Sequence, residues 1–109
     1  MKRSEALEEI ITFGTERNQA LNEISTFNFD SKIEHFIVSK SIFVKVLKKY
    51  LKNEISDTDL ETWANFIEGR DDVNYEKVAD HIYKLANPTL YQTITKRNIS
   101  KILNSLGVS

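Results

Sequence analysis

Residues 41–69 read SIFVKVLKKYLKNEISDTDLETWANFIEG, and their spacing specifies two consecutive amphipathic helices. In the first, Ile42, Phe43, Val46, Leu47, Tyr50 and Leu51 recur at intervals of three and four and so share one side of a helix. Lys45, Lys48, Lys49 and Lys52 fall on the other side, and Ser39 or Ser41 stands where an N-cap is needed. In the second, Ser56 followed by Asp59 has the form of a capping box with Asp replacing the usual Glu. Asp57 and Asp59 lie in the first turn, where the helix dipole favours negative charge. Leu60, Trp63, Ala64 and Ile67 make the apolar stripe, which predicts Trp63 as a core residue. Gly69 sits where a helix end favours a residue tolerant of positive φ.

The same pattern extends in both directions. After a short turn at residues 70–73, Asn74 can cap a helix over 75–87 whose inward face is Val78, Ala79, Ile82, Leu85 and Ala86. Asn87 and Pro88 stop it. Thr95 caps a last helix with Ile99, Ile102, Leu103 and Leu106 inward and Gly107 as its stop. At the other end Ser4 is the expected cap of a run bearing Leu7, Ile10, Ile11, Leu21 and Ile24. Gly14 interrupts that run, which leaves one bent helix or two. Residues 25–39 read as a loop that enters a helix near Asp30 or Ser31, with Ile33, Phe36 and Ile37 at helical spacing. A strand is disfavoured there because no second strand is evident to pair with it. The expected fold is all-α: one compact bundle of about five amphipathic helices, a single domain over 1–109.

With 109 residues, the chain can bury a core of its own. It contains no cysteine, which excludes disulfides and thiolate chemistry. The charged start MKRSEALEE leaves no apolar segment of signal-peptide length, and no apolar run reaches membrane-spanning length, so a cytoplasmic location is expected.

Charge is unevenly spread. Residues 57–80 hold eight of the sixteen acids but only two of the fifteen bases, Arg70 and Lys77. The rest of the chain is therefore basic, with thirteen bases against eight acids. A clustered negative field steers basic partners. It also opposes nucleic-acid binding through the lysines at 40–52, which are read as a solvated face.

No catalytic set stands out. His81 lies near Asp80 and Glu76, a combination able to relay a proton or hold a metal, but the plainer reading is a solvent-facing or edge histidine. His35 beside Glu34 reads the same way. Glu68, Asp71 and Asp72 form an acidic turn without the ligand spacing of a calcium loop, and three isolated glycines make no phosphate loop. Neither a metal nor a cofactor is expected, nor a small-molecule substrate. Of the tyrosines, Tyr83 is one position off the inward face and is the expected exposed aromatic.

Four elements carry a resemblance: Tyr50-Leu51, Trp63-Ala64-Asn65, the turn Glu68-Gly69-Arg70-Asp71-Asp72, and Leu85-Ala86-Asn87-Pro88. Over roughly residues 50–106 the chain resembles small all-helical bacterial immunity proteins of contact-dependent and polymorphic toxin systems. The resemblance implies an intracellular protein without chemistry of its own that binds a cognate toxin domain, often a basic nuclease, and occludes it. Carried over by position, the implied partner-binding residues are the exposed acids Glu68, Asp71, Asp72 and Glu76, with Arg70; Tyr83 joins them from its spacing. Three other readings remain open: an adaptor for a different host protein, a nucleic-acid binder through Lys40–Lys52, and an enzyme built on His81.

Overall fold

The computed structural model describes residues 2–26 and 36–108. Its α-helices are α1 (Arg3–Ile11), α2 (Arg17–Ile24), α3 (Lys40–Leu51), α4 (Asp57–Glu68), α5 (Ala79–Ala86) and α6 (Lys96–Ser105). A 3-10 turn, Glu76–Val78, leads into α5. The fold is all-α, with six helices among the described residues where about five were expected. A helix start near Asp30 or Ser31 falls outside the described residues, as does His35.

The break near Gly14 yields two helices, α1 and α2. All four terminal carbonyls of α1, which have no partner inside the helix, find donors. Glu8 O accepts from Thr12 N at 2.9 Å, Glu9 O from Gly14 N at 2.8 Å and Ile10 O from Phe13 N at 3.4 Å. Ile11 O accepts from the indole Nε1 of Trp63 at 2.9 Å. This is a Schellman ending with Phe13, not glycine, in the left-handed position at φ 53°. That conformation costs a side-chain-bearing residue about 1–2 kcal/mol. It is offset by the Phe13 ring lying 6.5 Å from Trp63 and by Arg17 stacking 4.3 Å above it. Gly14 leaves room for a side chain from the preceding helix. The Glu9 carboxylate folds back over it to accept from Glu16 N at 3.0 Å, and a Cβ at position 14 would lie 1.9 Å from that carboxylate.

The other caps follow the sequence closely. Ser39 Oγ accepts from Ile42 N at 3.1 Å, and Thr95 Oγ1 from Asn98 N at 3.1 Å. Ser56 and Asp59 close the capping box reciprocally, at 3.0 and 2.9 Å. Asn74 Oδ1 accepts from Glu76 N at 3.0 Å and so caps the 3-10 turn, not α5 directly. Two expectations fail. Ser4 lies inside α1, whose N-cap is Lys2 without a side-chain bond. Gly69 has φ −81°, so no positive φ is required there, whereas Gly107 does take φ 81°.

The third correction concerns residues 36–37. Instead of continuing a helix, Phe36–Ile37 forms a short strand, β1, that pairs in parallel with β2, Val73–Asn74. Phe36 N donates to Asp72 O and Val38 N to Asn74 O, both at 2.8 Å. The partner strand escapes notice in the sequence because two residues show no periodicity.

The helices pack as neighbours α1 on α2, α4 on α5 and α3 on α6. Trp63 sits at the centre with no exposed surface, and Phe43 stands 6.1 Å from it. Leu7, Ile10, Leu47, Leu60, Ile67, Ile82 and Ile99 are among the side chains packed around them. Trp63 therefore joins the apolar core to the end of α1 by one hydrogen bond. Replacing it with Ala should cost about 4 kcal/mol through the cavity and the unsatisfied Ile11 carbonyl. Trp63→Phe should cost roughly 1–2 kcal/mol, mainly the lost bond. Urea unfolding followed by far-ultraviolet circular dichroism of both variants measures the difference.

Candidate functional site

The acidic turn after α4 is divided between structure and surface. Asp72 was expected among the exposed acids, but its side chain is 4% exposed. Arg70 approaches it with two parallel bonds, Nε to Oδ1 at 2.8 Å and Nη2 to Oδ2 at 2.7 Å. Arg3, from the first turn of α1, donates to the same Oδ2. A carboxylate leaves water only when donors replace it, and two guanidiniums do so here. The bonds from Arg70, joined by Arg3 and opposed by burial, hold the Asp72 carboxyl below its ordinary pKa. Arg70, half-buried, also lies 5.6 Å over the Phe66 ring, so its guanidinium is already committed. Position 72 is thus a clamp that locks α1 to the turn preceding β2. Its neighbour Asp71 is exposed.

Asp71 and Glu76 line one shallow depression together with Val73, Asn74, Tyr75 and Ala79. Glu68, at the end of α4, is half-buried. Continuing from Glu76, the exposed residues Asp80 and Tyr83 follow at intervals of four and three along one side of the segment. Tyr83 is 47% exposed, as its spacing predicts. Its ring meets Tyr91 edge-on at 5.3 Å, and Leu90 beside it is 72% exposed. Leu90 was missed by the sequence reading. The available signal was an apolar residue just past Pro88 that belongs to no helical stripe.

The lysines on α3 are not equivalent. Lys45, Lys48 and Lys52 are exposed, but Lys49 Nζ donates to Phe13 O at 3.0 Å and covers the negative end of α1.

His81, expected as a solvent-facing or edge histidine, is half-buried, as at an edge. Its ring stacks on Phe43 at 5.6 Å, and its Nδ1 is buried without a hydrogen-bond partner among the described residues. Burial, then the Lys84 ammonium, pushes its pKa down against the pull of Asp80. Among the described residues no three of His, Asp and Glu converge as metal ligands, and no helix is long and apolar enough to cross a membrane. Both oxygens of Asp72, the innermost acid of the turn, are occupied by arginine.

No family model, curated protein or solved structure matches this chain.

Asp72→Asn should destabilise the fold by about 3 kcal/mol, the lower end for a broken buried pair because both arginines keep some water contact. Because Asp72 binds its proton more weakly folded than unfolded, its contribution is complete above about pH 4 and is lost as pH falls through the lower folded value. His81 acts in a separate window. Its pKa is also lowered, so its contribution is complete above its ordinary value of 6.5 and is lost as pH falls through the lower folded value. Urea midpoints measured from pH 7 to pH 3 should show both steps, and His81→Phe should remove the upper one.

Proposed function

We propose that the chain is a non-catalytic, immunity-type protein that binds a cognate bacterial toxin domain and occludes its basic working surface. The observation that carries this reading is the continuity of exposed acids with an exposed aromatic patch. Asp71, Glu76 and Asp80 lead along the 3-10 turn and α5 to Tyr83, which pairs with Tyr91 beside Leu90. Clustered tyrosines and an open leucine are the composition of interface anchors, and flanking carboxylates supply the long-range attraction. The resemblance of residues 50–106 to immunity proteins contributes the class of partner.

The chemistry divides the labour. Acids at the rim accelerate encounter with a positively charged surface, and apolar contacts set the lifetime of the complex. Arg70 and Asp72 act indirectly: their mutual clamp fixes the turn from which Asp71 projects. Glu68, half-buried beside that turn, extends the acidic rim. Nucleic acid is a poorer partner, because the acidic face opposes phosphate and Lys49 is already engaged by Phe13.

The test is capture of a basic toxin domain from a lysate of the source cell, followed by association and dissociation kinetics with the purified partner. Asp71→Lys/Glu76→Lys leaves the buried clamp intact and should slow association about tenfold or more at low salt, with a flattened salt dependence. Tyr83→Ala/Tyr91→Ala should mainly accelerate dissociation. Association of the wild type that ignores salt would sink the electrostatic part. Capture only of partners other than toxins would move the adaptor reading into first place.

A further inference from the structure

A second concavity lies on different residues from the acidic rim and does not depend on the toxin-binding reading. It is a cleft of about 180 Å³ formed by α5, α6 and the segment between them. Its apolar lining comes from Leu85 of α5, Ile94 of the connecting segment, and Ile99 and Ile102 of α6. Two ammonium groups, Lys84 and Lys101, also border it. Both are exposed, and neither forms an ion pair among the described residues.

The cleft is held in shape by its own bonds. Asn98 Nδ2 donates to Thr93 O at 2.8 Å, which fastens the connecting segment to α6. Tyr50 OH donates to Ile94 O at 3.4 Å and ties the same segment to α3. His81, Gln92, Thr93, Asn98 and Ser105 contribute polar groups to the lining. The His81 ring is stacked on Phe43. Lys84 lines this cleft, whereas Asp80 borders a different depression.

Size, lining and charge define the occupant. A dry apolar cavity of about 150 Å³ holds one benzene molecule. This cleft is slightly larger but open to solvent, with an apolar base, polar side chains and two ammonium groups around it, which suits one small ring or branched chain bearing a single negative group. We propose that this cleft binds a small organic carboxylate, with its apolar body against Leu85, Ile94, Ile99 and Ile102 and its carboxylate between Lys84 and Lys101. The carboxylate gains charge-assisted hydrogen bonds from the lysines, and the body leaves water.

Phenylacetate is the probe, with phenylacetamide as its neutral isostere and acetate as the anion lacking an apolar body. Methyl-detected NMR titration of the full chain should show saturable shifts at the four lining residues with phenylacetate. The amide should bind about tenfold more weakly, and acetate should leave the methyls unmoved. Lys84→Gln/Lys101→Gln alters only exposed side chains, so the variant remains folded, which circular dichroism verifies. It should bind phenylacetate no better than the amide. Absence of saturable shifts at these methyls, equal affinity for acid and amide, or unchanged binding by the double variant would each overturn the proposal.

Discussion

A carboxylate removed from water must find nearly all of its hydrogen bonds in the protein, and Asp72 finds them in two arginines far apart in the chain. Arg70 is two residues away and supplies a fork; Arg3 is sixty-nine residues away and supplies the long-range tie. The placement of the N-terminal helix, the course of the chain between α4 and α5, and the β1–β2 pairing all meet at this point. Phe36 N bonds to the carbonyl of the same Asp72 whose side chain the arginines hold. Backbone and side chain of one residue thus connect α1, β1 and the turn after α4. The net stabilisation from such a buried pair is small, since desolvation opposes attraction. Its larger consequence is specificity: any arrangement that separates these partners strands a charge.

The α1 terminus provides the second organising constraint. Its last carbonyls are served partly by the backbone and partly by Trp63 from α4, and the following Phe13 carbonyl is served by Lys49 from α3. These side chains do two jobs at once. Trp63 fills the core and donates a hydrogen bond; Lys49 belongs to an otherwise solvated stripe yet closes the end of a neighbouring helix.

The local grammar of the fold was legible and its long-range grammar was not. Helices α3, α4 and α6 announced themselves through apolar spacing, and Ser39, Ser56, Asp59 and Thr95 cap them where the sequence places them. These signals span three or four residues, so a linear reading captures them. β1 and β2 are two residues each and gain meaning only from each other. Asp72 looked like its neighbour Asp71, because nothing within the acidic turn reveals that Arg3 will reach it. Of the residues the resemblance and spacing singled out, Asp71, Glu76 and Tyr83 are exposed as expected. The exposure of Leu90 was not anticipated, since irregular backbone follows no period. His81 was placed on the edge, and its burial depended on Phe43 from another helix.

The α1–α2 hairpin is built from local contacts, whereas its polar ties to the rest, from Arg3, Ile11 and Phe13, span separations of 69, 52 and 36 residues. Local contacts close quickly and distant ones late. The hairpin nevertheless does not open alone, because Ala6, Leu7, Ile10 and Ile11 are buried in the common core and all three ties must break with it. In time rather than in geometry, the N-terminal pair is bound to the fate of the core: its docking is a late step of folding, and its release coincides with loss of the packing around Trp63.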